Sequence, residues 1–94
     1  MHRKLDGLSL VDEYMLRKER ERNGSDEGPA LDELYRRIKG RPIRNIADAI
    51  EKRRFAHYCL VEEGDIKEAA DLLLQVCAAM ATLADQGDND AAAR

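Results

Sequence analysis

The sequence contains few aromatic residues. Its 94 residues include one phenylalanine, three tyrosines and no tryptophan. A hydrophobic core must therefore be built mainly from Leu, Ile, Val, Ala and Met side chains, which suits helices packed on helices better than a sheet. A chain of this length forms one domain at most and buries roughly 60–65 % of the surface that its unfolded form exposes.

Cysteine is also scarce, since Cys59 and Cys77 are the only two. They do not make the disulfide framework of a small secreted domain, so we expect two buried free thiols that pack as small apolar groups. The first fifteen residues turn acidic where a signal peptide would need an apolar run. No uninterrupted apolar stretch reaches the ~18 residues of a membrane span. We therefore expect a soluble, cytoplasmic chain without a membrane partner.

The usual signatures of catalysis are missing from the sequence. There is no glycine-rich phosphate loop, no nucleophile elbow and no CxxC motif. On a helix His57 and Cys59 point about 200° apart, so they cannot pair with each other for nucleophilic catalysis. An acidic bend lacks the alternating ligands of a cation-binding loop, and we interpret it as a solvated helix start. We expect a protein that is not an enzyme, with no catalytic, cofactor-binding or metal-binding residue. The acidic bend comprises Glu62, Glu63, Asp65 and Glu68.

Charge is distributed unevenly along the chain. The net charge of −3 divides into −3 for residues 1–35, +6 for residues 36–54 and −6 for residues 55–94. Phosphate binding requires positive density of the kind found in the middle segment. The segment lacks an Asn or Gln pair that could read bases. It also lacks aromatic residues that could stack on bases, apart from ones that are candidates for the core. The alternative interpretation is that these basic residues form a solvated face. The candidate phosphate-binding residues are Arg36, Arg37, Lys39, Arg41, Arg44, Arg53 and Arg54.

Helix signals occur in four segments. Capping side chains start helices at Ser9, Asn45 and Asp65, and a proline in the first turn starts another near residue 29. Glycines at positions 24, 40 and 64 end the first three. The pattern predicts an all-α fold, a small three- to four-helix domain with a C-terminal antiparallel helical hairpin. We expect an N-terminal charged helix with a flexible linker at 1–28, a helical core domain at 29–86 and a disordered acidic tail at 87–94.

The last helix has too many apolar residues for a helix on the surface of a small protein. Between Ala69 and Ala84 only Asp71, Gln75 and Thr82 are polar, and they share one stripe with Lys67. About three quarters of the circumference is apolar, whereas a surface helix needs only about a third. The helix is therefore expected to be either central in the domain or shared with another chain, and we favour a homodimer packed through residues 66–84. The predicted dimer core comprises Ile66, Ala69, Leu72, Leu73, Val76, Cys77, Met80 and Leu83.

Residues 64–73, GDIKEAADLL, resemble the middle of a tetratricopeptide repeat. Gly64, Asp65, Ala69 and Leu73 match the spacing at which one helix of that repeat ends and the next packs. The chain holds no second copy, and a single unit cannot form a solenoid. The resemblance therefore implies a tight antiparallel hairpin of residues 45–63 against 65–85, without assignment to the family.

These patterns favour a non-enzymatic, small helical protein-interaction module that binds and regulates a larger protein, as an adaptor, chaperone or inhibitor does. The N-terminal helix cannot bury a face by itself, so we expect it to become ordered on the partner. The alternative is a nucleic-acid-binding transcriptional regulator that uses residues 36–54. The predicted partner-binding residues are Leu8, Val11, Tyr14 and Met15.

Overall fold

The computed structural model describes the backbone of residues 9–92 and the side chains of residues 9–86. This part of the chain contains four α-helices and no strand. Helix α1 covers Leu10–Arg22, α2 covers Gly28–Gly40, α3 covers Ile46–Val61 and α4 covers Ile66–Ala92. The expectation of an all-α fold is confirmed.

Three helices begin at the capping side chains that the sequence predicts. Ser9, Asn45 and Asp65 each accept a hydrogen bond from the backbone N–H three residues later, at 3.0, 2.8 and 3.1 Å. These bonds satisfy backbone donors that the first turn of a helix leaves unpaired. The start of each of these helices is therefore fixed by local sequence.

The contacts divide residues into two compact units, 1–41 and 42–94. The division falls at Pro42, which follows the end of α2 and cannot continue a helix. The packing thus groups the first two helices together, whereas the sequence suggested a segment boundary at residue 28. Helix α4 continues to Ala92, through most of the segment 87–94 that was expected to be a disordered tail.

The first unit is a helical hairpin of α1 and α2. Its buried side chains are Val11 and Tyr14 of α1 and Leu31, Leu34 and Ile38 of α2. The α2 residues recur at i, i+3 and i+7, the spacing of one helical face. The rings of Tyr14 and Tyr35 lie 6.4 Å apart between centroids at a tilt of 50°, a geometry that aromatic pairs favour.

Two features close this first hairpin. Helix α1 ends in a Schellman turn, in which Gly24 has a φ of +103° and Ser25 N–H donates to the Arg20 carbonyl. Arg17 then links α1 to the start of α2, because its guanidinium contacts Glu27, the residue before α2, at 2.9 Å as well as Glu13 of α1 at 3.1 Å. The pKa of Arg17 is raised, chiefly by its hydrogen bond to Glu27 and then by the one to Glu13.

The N-terminal helix was expected to be free for a partner, and the structure places it differently. Val11 is 2 % exposed and Tyr14 is 5 % exposed. Helix α1 packs against α2 because each supplies an apolar stripe that the other covers. The alternating charges after residue 16 do not prevent this, since the two buried α1 residues lie in its first half.

The second unit is the hairpin of α3 and α4, as the sequence predicts. The helices turn at Gly64, which has a φ of +67°, and Asp65 N–H donates to the Cys59 carbonyl at 3.0 Å. Position 64 therefore requires a residue that tolerates the left-handed conformation. Phe55, Cys59 and Leu72 are the largest fully buried side chains of the hairpin.

A hydrogen bond from a buried lysine to an exposed glutamine crosses this hairpin. Lys52 of α3 is only 5 % exposed, and its Nζ donates to Gln75 Oε1 of α4 at 3.0 Å. Burial lowers the pKa of Lys52, and the charge of Asp48 opposes that shift. Because a buried ammonium is costly without polar partners, the Gln75 amide fixes which turn of α4 lies beside Lys52.

We therefore expect Gln75→Ala to lower the free energy of unfolding by about 1–3 kcal/mol, because it removes one partner of a buried charged donor. Urea denaturation followed by circular dichroism measures this change. Gln86→Ala on the exposed end of the same helix is the matched control and should stay within about 0.5 kcal/mol of the parent. An equal loss of unfolding free energy in both variants would show that the Lys52–Gln75 contact stabilises the fold no more than an exposed side chain does.

Candidate interaction surface

Helix α4 uses one side to pack inside the hairpin. Ala69, Leu72 and Val76 are buried at i, i+3 and i+7, and Ala79 and Leu83 continue this side half-buried. Helix α3 is the element packed against α4, so this side faces α3. The polar stripe of Lys67, Asp71, Gln75 and Thr82 is exposed as the sequence predicts.

A second apolar row of α4 is exposed. Its six positions are separated by four, three, four, three and four residues, which is the a/d spacing of a coiled-coil seam. All six are exposed, Ile66 by 71 %, and no charged residue lies among them. We call this row the α4 seam; it consists of Ile66, Ala70, Leu73, Cys77, Met80 and Ala84. Leu74, 68 % exposed, lies beside it.

Helix α3 also carries an exposed row with apolar members. Ile46, Ile50 and Leu60 are each exposed by nearly half. Arg53 and His57 occupy the positions between them and are exposed as well. We call these five residues the α3 row. Unlike the α4 seam, it combines apolar side chains with a basic one.

The α4 seam and the α3 row lie on the same side of the hairpin. Each is displaced by about 100° from the residues buried between the helices, in the direction of increasing residue number. Viewed from one end of the hairpin, residue numbers increase clockwise around one helix and anticlockwise around the other, because the helices are antiparallel. Equal displacements in the direction of increasing residue number therefore bring both rows to the same side of the hairpin. The hairpin therefore presents a single broad surface that is largely apolar.

The predicted dimer core divides between this surface and the interior of the hairpin. Ala69, Leu72 and Val76 are buried within the chain and are not available to a second chain. Ile66, Leu73, Cys77 and Met80 are exposed on the seam, and Leu83 is half-buried. Composition alone could not separate the two sets, because both are apolar.

Sequence reasoning missed several members of the surface. Ala70 and Ala84 complete the seam, and the four–three spacing of the sequence was sufficient to identify them. Ile50 and Leu60 of the α3 row had no such signal. Their exposure depends on which side of α3 faces α4, and that is a tertiary property.

Of the predicted partner-binding residues, none of the three that the structure describes is exposed. Leu8 lies outside the described residues, Val11 and Tyr14 are buried, and Met15 is half-buried. Val11 and Tyr14 lie on the stripe that packs α1 against α2 in the first unit. The exposed apolar surface occurs instead in the second unit.

The candidate phosphate-binding residues are divided between the two units. Arg36, Arg37 and Arg41 line one shallow depression at the end of α2, together with Leu10 and Gly40. Arg36 also pairs with Glu33 at 2.8 Å, and both side chains are exposed. The ammonium of Lys39 lies 5.9 Å from the Tyr35 ring centroid, within range of a cation–π contact.

The basic residues of the second unit are largely paired locally. Arg44 lies 3.4 Å from Asp48, and Arg54 pairs with Glu51. Arg53 is exposed on the α3 row. The depression in the first unit is therefore the place where the structure concentrates positive charge.

The two thiols have different surroundings. Cys59 is buried, and burial, with smaller contributions from Glu63, Glu68 and Asp65, raises its pKa to about 12. It therefore stays protonated and unreactive at neutral pH. Cys77 is exposed on the α4 seam, whereas both cysteines were expected to be buried. His57 is exposed while Cys59 is buried, in agreement with their predicted opposite directions on the helix.

Residues 9–86 carry the side chains that the structure describes. No group of three or more His, Cys, Asp or Glu side chains there is arranged to hold a metal ion. None of the helices in residues 9–92 is both long and apolar enough to cross a membrane.

In comparisons with known proteins, no family model, no curated protein and no solved structure matches this chain.

Proposed function

We propose that this protein is a non-enzymatic helical interaction module that self-associates through the α4 seam and binds and regulates a larger protein. The observation that supports it is the exposed apolar surface of the second hairpin. Leu73, Leu74 and Met80 are each at least 40 % exposed on the same helix. Contiguous apolar patches of this kind mark interaction sites in soluble proteins.

Energetics favour covering this surface. Fully burying one Leu or Met side chain contributes roughly 1.5–3 kcal/mol. The hairpin buries a different side of α4, about 100° away from the seam, so its fold does not supply a cover for the seam. A second chain that covers several large apolar side chains gains enough to offset part of the cost of association.

The α3 row provides the second part of the proposal. Its three apolar side chains are accompanied by Arg53, an exposed basic residue that has no ion-pair partner in residues 9–86. Arginine beside apolar anchors is typical of protein interfaces. The row therefore suits a partner surface that combines apolar side chains with carboxylates.

Sedimentation equilibrium at micromolar concentration should give twice the mass of one chain. Leu73→Asp places a charge in a contact that must be dry, so it should weaken association at least tenfold while helicity is retained. Thr82→Asp, which adds the same charge on the polar stripe, is the control and should remain dimeric. A wild-type monomer at this concentration would contradict self-association.

Binding of the larger partner is tested by affinity capture from the native host. Ile50→Asp should lose a protein that the parent and Thr82→Asp both retain, because only the first variant alters the α3 row. The retained protein is then purified and its dissociation constant measured by calorimetry, where Ile50→Asp should weaken binding at least tenfold. If Ile50→Asp and Thr82→Asp bind equally, the α3 row is not the partner site.

A second candidate function is binding of nucleic acid. It is favoured by the grouping of Arg36, Arg37 and Arg41 around one depression. Guanidinium groups that converge in this way suit a phosphate, which accepts paired hydrogen bonds. The C-terminal end of α2 beside them carries partial negative charge and counts against strong anion binding.

Fluorescence anisotropy with duplex DNA across a salt series distinguishes the two candidates. A phosphate site should give an affinity that falls linearly in log salt, and changing Arg36, Arg37 and Arg41 to Glu should flatten that slope by about 2.7. The control changes Lys18, Arg20 and Arg22 to Glu, which alters net charge equally. Equal effects of the two sets would indicate non-specific attraction, and no binding near 10⁻⁶ M at about 50 mM salt would exclude this candidate.

A further inference from the structure

We infer that the occupant of the α4 seam is the α4 seam of a second copy of this chain, and that the two helices run antiparallel and are centred at the level of residue 75. This inference rests on the self-association proposed above and specifies its geometry. It is supported by the alternation of side-chain size along the seam and by the positions of two charged residues beside it.

Large and small side chains alternate along the seam. Ile66, Leu73 and Met80 are large, and the three positions between and after them are Ala70, Cys77 and Ala84. The seam is centred on residue 75, so antiparallel pairing places residue 66 opposite 84, 70 opposite 80 and 73 opposite 77 of the second copy. Every layer then joins one large side chain with one small one, the arrangement that lets facing side chains interdigitate.

Parallel pairing gives a poorer fit. Equivalent positions would meet, so Leu73 would face Leu73 of the second copy while Ala70 faced Ala70. Large–large layers hold two helices apart, and the small–small layers between them would leave gaps. Unfilled space in a packed interface forfeits contact energy. The size alternation therefore selects the antiparallel orientation.

Charge complementarity supports the same orientation. Lys67 and Asp85 are eighteen residues apart, which is five helical turns, so they point in the same direction along one edge of the seam. Neither has an ion-pair partner among the described side chains. Antiparallel pairing brings Lys67 beside Asp85 of the second copy, within about 3 Å along the axis. Two symmetric opposite-charge pairs then flank the apolar layers.

The α3 row is less suited to self-association than the α4 seam. The contact between Lys52 and Gln75 places the middle of α3 level with the centre of the seam. A dimer with this centre brings the two Arg53 side chains near each other, where like charges repel. The α3 rows therefore do not close into a dry core and remain open to a partner that carries carboxylates.

The orientation is tested by disulfide trapping in a Cys77→Ala background. Ala70→Cys and Met80→Cys are prepared as separate chains, mixed under reducing conditions and then oxidised. The antiparallel geometry pairs position 70 with position 80, whereas two copies of position 70 lie about 15 Å apart along the axis, beyond the reach of a disulfide. The mixture should form at least ten times more cross-linked dimer than either variant alone, with a mass that contains one chain of each kind.

The Cys77→Ala chain alone retains only the buried Cys59 and should not cross-link. Self-linking of either single variant at the efficiency of the mixture would establish a parallel pair and overturn the inference, while self-association would stand. Absence of cross-links from variants that sediment as dimers would place the interface elsewhere and would also overturn it. Monomeric sedimentation of the wild-type chain would overturn both proposals together.

Discussion

Helix α4 is apolar around most of its circumference, and the one helix packed against it covers only part of that apolar arc. This mismatch governs the second unit. Helix α3 covers the side that carries Leu72 and Val76 and leaves the seam exposed. Because α3 also keeps an exposed row with Ile50 and Leu60, the hairpin has an interior on one side and an exposed, largely apolar surface on another.

The polar residues of the hairpin determine how that surface is arranged. An interior of Ala, Leu, Val and Cys would tolerate sliding of one helix along the other, since apolar contacts are not directional. The bond from Lys52 to Gln75 restricts this sliding, because a buried ammonium must keep polar partners. It thereby fixes the level of the α3 row relative to the α4 seam, and so the layout of the whole surface.

The sequence was sufficient for the features that depend on neighbours along the chain. The caps at Ser9 and Asn45 and the turn at Gly64 are local, and the structure confirms them. The sequence was not sufficient to predict which side of each helix is buried. Val11 was interpreted as a free binding residue, although α2 offered an apolar stripe that could cover it. Leu72 and Leu73 are adjacent and chemically identical, yet one is buried and the other exposed, because only packing against α3 distinguishes them.

The common side of the α4 seam and the α3 row has a consequence for regulation. In the dimer proposed above, the two α3 rows lie opposite each other, so a partner bound there would contact both copies or separate them. In either case its binding free energy is linked to that of self-association, and the coupling is reciprocal. Arg53 influences the sign of this coupling. A partner that supplies carboxylates between the two guanidinium groups relieves their repulsion and strengthens the dimer, whereas a partner that is apolar alone competes with it.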